Sequence, residues 1–239
     1  ILGFVRDVAI AAVLGAGPVA DAFLVAFRVP NLVRRVLADG GLNGAFVPLL
    51  ARIESEKSAV AASRFAAESI VATALFGAAV VAAVILFAPF VVMLLAAGYA
   101  GEDERLVLAA SYLRLCAPFI GLSLVAALLT ALLSARRRFA AVAAVSVAAN
   151  GVLLAFLAVL AGLALDEARA AIWLACGVGL SGLVQLGAVM AACRPVWPGL
   201  ARPRWSPDMG WLFALSGPAL VANAAPQLIA VAATQWGVH

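Results

Sequence analysis

The chain has 239 residues, of which 66% are hydrophobic and 12% charged, with mean hydropathy +1.13 and a formal net charge of +4. A soluble domain is about half apolar and about a quarter charged, so one compact soluble core is excluded: too little polar surface remains to cover it. The composition is that of an all-α, polytopic helical membrane protein, in which the distribution of charge matters more than its sum, so the basic balance does not point to nucleic acid.

A helix needs about 20 apolar residues to cross the hydrocarbon core. In chain order the expected spans are residues 1–14 (shortened), 21–50 (long and interrupted), 66–95, 106–133, 139–163, 168–192 and 209–236. Short connectors join them. Between the first two, "GAGPVAD" reads as a tight hairpin turn; its Gly-x-Gly follows no strand and precedes no Gly-Lys-Ser/Thr, so it is not a phosphate loop. Pro30, Pro48, Pro89, Pro118, Pro218 and Pro226 fall in or near apolar runs, where each removes a backbone donor and kinks or breaks its helix. "CGVGLSG" places Gly177 and Ser181 four apart, a spacing that permits close helix packing.

The connectors alternate in charge. Those after spans two, four and six carry Arg52, Lys57, Arg64, Arg136, Arg137, Arg138, Arg194, Arg202 and Arg204, nine basic residues. Those after spans one, three and five carry two, Arg105 and Arg169, together with Glu102, Asp103, Glu104, Asp166 and Glu167. Nine against two is a positive-inside signal that places the even connectors in the cytoplasm.

The stretch "DAFLVAFRVPNLVRRVLADGGLNGAFVPLL" holds Asp21, Arg28, Arg34, Arg35 and Asp39 in an otherwise apolar span, and span one adds Arg6 and Asp7. An Arg at the bilayer centre costs from about 3 to more than 10 kcal/mol. These arginines are therefore expected to face a bundle interior or a water-filled cavity. Leu24, Arg28, Asn31 and Arg35 share one helical stripe, while Arg34 lies about 100° round from it. Plainer roles stand beside this one: snorkelling for Arg34 and Arg35, a carbonyl or acid partner for Arg28, and a packing pair for Arg6 with Asp7. Arg114, two turns into span four, is expected to snorkel. The sharper reading is a cationic pocket for an anion, since the guanidinium fork binds two phosphate oxygens at once. Fifteen of the sixteen basic residues are Arg.

Cys116, Cys176 and Cys193 are far apart and form no CxxC pair, so they are expected as small apolar helix residues. The lone histidine is His239, which argues against a His-based zinc site or triad. The chain opens inside an apolar pattern without an initiator Met or a visible signal peptide and stops at "IAVAATQWGVH". It reads as an internal piece of a longer protein.

The motifs "GFVRD", "GAGPVADAFLVAF", "PNLVRR" and "AFVP" resemble the MurJ/MviN family of lipid II flippases in the MOP exporter superfamily. The resemblance is close over residues 2–50; beyond them it rests on the span pattern, "APF", the "RRRF" loop and "SGPAL". It implies about seven helices of an expected fourteen in two lobes around a central cavity. Residues 1–193 would be the first lobe, 194–208 a cytoplasmic linker and 209–239 the start of the second lobe. It further implies movement of undecaprenyl-diphosphate-linked muropeptide from the cytoplasmic to the periplasmic leaflet by alternating access, with the diphosphate among cavity arginines. Arg6, Asp21 and Arg34 match family motif positions, and Asp39 stands where the family usually has Glu. The candidate substrate-binding set is thus Arg6, Arg34, Asp21, Asp39, Arg28 and Arg35. The expected partners are lipid II, membrane lipids and the remainder of the chain beyond His239; no nucleic acid, cofactor or metal is called for. The expected location is the bacterial cytoplasmic (inner) membrane.

A flippase for another polyprenyl-diphosphate-linked oligosaccharide shares this logic and is the nearest alternative. A cationic-drug exporter would line its pocket with acids and aromatics. A membrane enzyme acting on polyprenyl phosphates needs a carboxylate or His cluster, often with Mg²⁺, and Asp7, Asp21 and Asp39 are dispersed. A purely structural scaffold would not need the arginines.

Overall fold

The computed structural model describes residues 2–15, 17–37, 43–95, 103–163, 165–199, 208, 210–212 and 214. Among them every long element is a helix: α1 (Leu2–Leu14), α2 (Pro18–Val33), α3 (Asn43–Glu56), α4 (Ala59–Leu86), α5 (Ala88–Leu95), α6 (Asp103–Cys116), α7 (Pro118–Ala135), α8 (Phe139–Gly162) and α9 (Glu167–Cys193). Four helical stretches are long and apolar enough to cross a membrane: Ala59–Leu86, Glu104–Ala135, Phe139–Gly162 and Glu167–Val196. The chain is a multi-pass helical membrane protein.

Proline and capping chemistry set the boundaries. Ser58 caps α4 by accepting the N–H of Ala61 at 3.1 Å, and Asp166 caps α9 by accepting the N–H of Arg169 at 3.2 Å. The third expected span divides at Phe87 into α4 and α5, because Pro89 cannot donate to the carbonyl of Ile85. The fourth divides at Ala117, where Pro118 begins α7 and leaves the carbonyl of Arg114 without its usual donor.

The second expected span is described in two parts, on either side of residues 38–42. α2 ends at Val33, the chain widens over residues 34–37 into i→i+5 hydrogen bonding, and α3 begins at Asn43. Pro30, inside α2, removes the donor to Ala26 and weakens the ladder just ahead of the widened turn. α3 instead packs by itself, burying Phe46, Leu49, Leu50 and Ile53 against α4 and α7. The seventh expected span falls almost wholly outside the described residues, as do Asp39, Arg202 and Arg204.

Two buried clusters form the core. One joins α1, α2, α6, α8 and α9 through Ile10, Phe23, Tyr112, Leu157 and Leu174. The other joins α3, α4, α7 and α9 through Phe46, Phe65, Leu129 and Val189. Small residues bring helices close where the sequence places them. A Cβ on Gly77 would lie 3.1 Å from Cα of Gly121, so α4 and α7 meet backbone to backbone. A Cβ on Gly177 would lie 2.5 Å from Cδ1 of Phe156, so α9 seats the α8 ring where a side chain would stand.

The described connectors gather at two ends. At one end the turn at Gly15–Gly17 lies against Glu167: a Cβ on Gly17 would be 3.3 Å from its Oε2. Gly15 itself turns the chain at φ 69°, a left-handed value that glycine adopts without strain. At the other end Arg136 donates to Glu54 at 2.9 Å, Lys57 pairs with Asp208 at 2.7 Å, and Arg138 reaches the carbonyl of Ala192 at 3.5 Å. The basic connectors after spans two, four and six thus share one end of the bundle. Arg114 is exposed, and its Nε donates to the carbonyl of Ile85 at 3.3 Å.

Candidate functional site

α1 and α2 bring the cationic residues together. Arg6 is fixed from two sides. Its Nε and Nη2 both donate to Oδ1 of Asp7, at 2.9 and 2.7 Å, and its guanidinium carbon lies 5.2 Å from the centroid of the Phe27 ring. Guanidinium over an aromatic face is a favourable cation–π arrangement. Two of its five N–H groups serve Asp7. Phe27 is held in turn by stacking on Phe23 at 5.8 Å, and Phe23 meets the edge of buried Tyr112 at 6.2 Å. A column of rings from α6 through α2 therefore positions the α1 arginine.

Two cavities meet at this arginine. The first, of about 340 Å³, is lined by Arg6, Asp7 and the whole stripe Leu24, Arg28, Asn31 and Arg35. The second, of about 280 Å³, has Arg6, Arg34 and Arg35 on one side. Arg34 therefore faces the second cavity and Arg28 the first, which follows from their different positions around α2. Asn31 borders both cavities, its Nδ2 donating to the carbonyl of Phe27 at 3.0 Å.

Beyond α1 and α2, the lining of the second cavity comes from α7, α8 and α9: Phe119, Asn150, Leu153, Val178, Ser181 and Gln185. Val178, Ser181 and Gln185 are spaced three and four apart and so share one face of α9. Asn150, Ser181 and Phe119 stand at the middle of the apolar stretches Phe139–Gly162, Glu167–Val196 and Glu104–Ala135. The second cavity is therefore centred at mid-span, where an ionised side chain is most costly unless it faces protein or water. Among the described residues that line it, three are Arg and none is acidic.

The structure thus brings Arg6, Arg34 and Arg35 to one cavity, with Arg28 in the adjoining one. Asp21 is not drawn in: it is exposed in the first turn of α2, where a carboxylate complements the helix dipole, and it lines neither cavity. Asp39 lies outside the described residues. Asn150 and Gln185 were not singled out by sequence. Each is the sole carboxamide in its span, and a lone amide in mid-span is the signal that marks them.

The family model described as "Lipid II flippase MurJ" matches residues 10–236. A probable lipid II flippase MurJ from Rhizobium meliloti (strain 1021) is 34% identical over 95% of this chain and 43% of its own length. One from Rhizobium tropici is 31% identical over the same shares. The chain thus spans less than half the length of these curated relatives. A solved structure titled "Lipid II flippase MurJ, inward closed conformation" superposes with a TM-score of 0.75 over 96% of this chain and 46% of that one, at 21% identity.

Proposed function

We propose, from the premise that this chain belongs to the MurJ family of lipid II flippases, that the whole protein carries lipid II across the cytoplasmic membrane. This chain supplies the first lobe and the beginning of the second, and the remainder of the protein completes the transport cavity. The observation that carries the reading is the convergence of Arg6, Arg34 and Arg35 on one mid-span cavity without an acid on its described walls.

A neutral sugar-peptide has no use for three guanidinium groups. A diphosphate in a low-dielectric site does, because charge-assisted hydrogen bonds are stronger there and the planar fork matches phosphate oxygens. The diphosphate sits among Arg6, Arg34 and Arg35, the polar head crosses through the cavity, and the polyprenyl tail stays in lipid. The step is conformational and no covalent bond changes. The basic connectors at one end of the bundle orient that end to the cytoplasm.

The test is rescue. Full-length protein is expressed in cells depleted of their own flippase, and lipid II is measured at the outer leaflet. Restored exposure of lipid II is the expected result. Matched expression in the membrane with no restored exposure rejects lipid II as the cargo.

A further inference from the structure

We infer that Asn150 and Gln185 form a specificity wall that reads the neutral, amide-bearing part of the ligand next to the diphosphate held by the arginines. This rests on the diphosphate-lipid reading given above.

The second cavity has two chemically different sides. α1 and α2 present guanidinium groups, which only donate hydrogen bonds and which match phosphate in charge and shape. α8 and α9 present Asn150 and Gln185, and a carboxamide both donates and accepts. A carboxamide is therefore the natural complement of another amide, such as an N-acetyl group or a peptide bond, and adds no charge to a phosphate site. Ser181 also lines this cavity, and its hydroxyl hydrogen is given to the carbonyl of Val178 at 2.7 Å.

Their placement supports the assignment. Asn150 and Gln185 come from different helices, each near the middle of an apolar span, and border the same cavity of about 280 Å³ as Arg6, Arg34 and Arg35. A ligand whose diphosphate lies against the arginines would present the group attached to that diphosphate to α8 and α9. The walls then divide the work: the arginines give affinity for the diphosphate, and the amides give preference for what it carries.

The experiment compares two ligands on full-length protein in detergent micelles: undecaprenyl diphosphate, which has no sugar, and lipid II. The measured quantity is the ratio of their dissociation constants in wild type, Asn150→Leu, Gln185→Leu and Arg34→Ala. Losing an amide partner lowers the preference for lipid II about tenfold in each amide variant, while undecaprenyl diphosphate binds as in wild type, which also shows that the variant is folded. Arg34→Ala weakens both ligands together and leaves the ratio intact. An unchanged ratio in both amide variants overturns the inference. So does an equal loss of both ligands in Gln185→Leu and Asn150→Leu, which would place the amides on the phosphate side or in the fold. If wild type binds neither lipid, the diphosphate reading itself fails, a result distinct from either of these.

Discussion

Arg114 donates from Nε to the carbonyl of Ile85 at 3.3 Å, and Ile85 is the residue to which position 89 would donate if it were not proline. The pair explains a mid-bundle arginine without invoking a ligand: it satisfies an orphaned backbone acceptor between α4 and α5. In a membrane such carbonyls must find a partner within the protein.

The first prediction concerns this pair. Arg114→Leu should lower stability by about 1 kcal/mol, the low end for such a bond because the side chain is exposed. Pro89→Ala restores a backbone donor to Ile85, so the same Arg114→Leu change should cost much less in that background. Thermal unfolding midpoints of the four proteins in detergent form a double-mutant cycle. Equal costs with and without Pro89 would show that Arg114 does not serve that carbonyl.

A second prediction concerns orientation. The turn at Gly15–Gly17 and Glu167 share one end, while Arg136, Lys57 and Arg138 share the other. On a background with Cys116, Cys176 and Cys193 replaced, a cysteine at position 137 should resist a membrane-impermeant thiol reagent added to whole cells, and one at position 166 should react. The reverse pattern would invert the topology.

Packing supplies the third. Gly177→Ala sets a methyl group against the Phe156 ring, whose Cδ1 would be 2.5 Å away, and overpacking of this kind costs about 1–3 kcal/mol. Phe156→Leu should recover part of the loss in the double variant. If Gly177→Ala unfolds at the wild-type temperature, α8 and α9 are not packed so closely.

Much of this was legible in the sequence, and for physical reasons. The stripe Leu24, Arg28, Asn31 and Arg35 was readable because helical spacing alone puts those residues on one face, and all four line one cavity. Arg34 is absent from that cavity by the same arithmetic and lines the second one, which Asn31 and Arg35 share. The basic charge of the connectors after spans two, four and six announced that they would share one end. The interruption of the second span was harder. Its Pro30 is compatible with a kink as well as a break, and the widened turn at 34–37 depends on packing around it. The partner of Arg114 is a carbonyl 29 residues away, which no local pattern reveals. Asn150 and Gln185 carried a visible signal, but which side of a uniformly apolar helix they occupy is decided only when α8 and α9 pack.

The central claim is that Arg6, Arg34 and Arg35 hold a diphosphate. Its most direct test is the rate of lipid II exposure at the outer leaflet in flippase-depleted cells carrying full-length Arg34→Ala, Arg34→Lys or Arg35→Ala at matched protein levels. Losing a hydrogen bond to a charged group costs about 1.5–3 kcal/mol, or roughly tenfold to a hundredfold in binding. Arg34→Ala should therefore slow exposure by at least about tenfold, Arg34→Lys should recover only part of it because the ammonium lacks the planar fork, and Arg35→Ala should also be slow because Arg35 lines the same cavity. Normal lipid II exposure by a well-expressed Arg34→Ala protein would contradict the account.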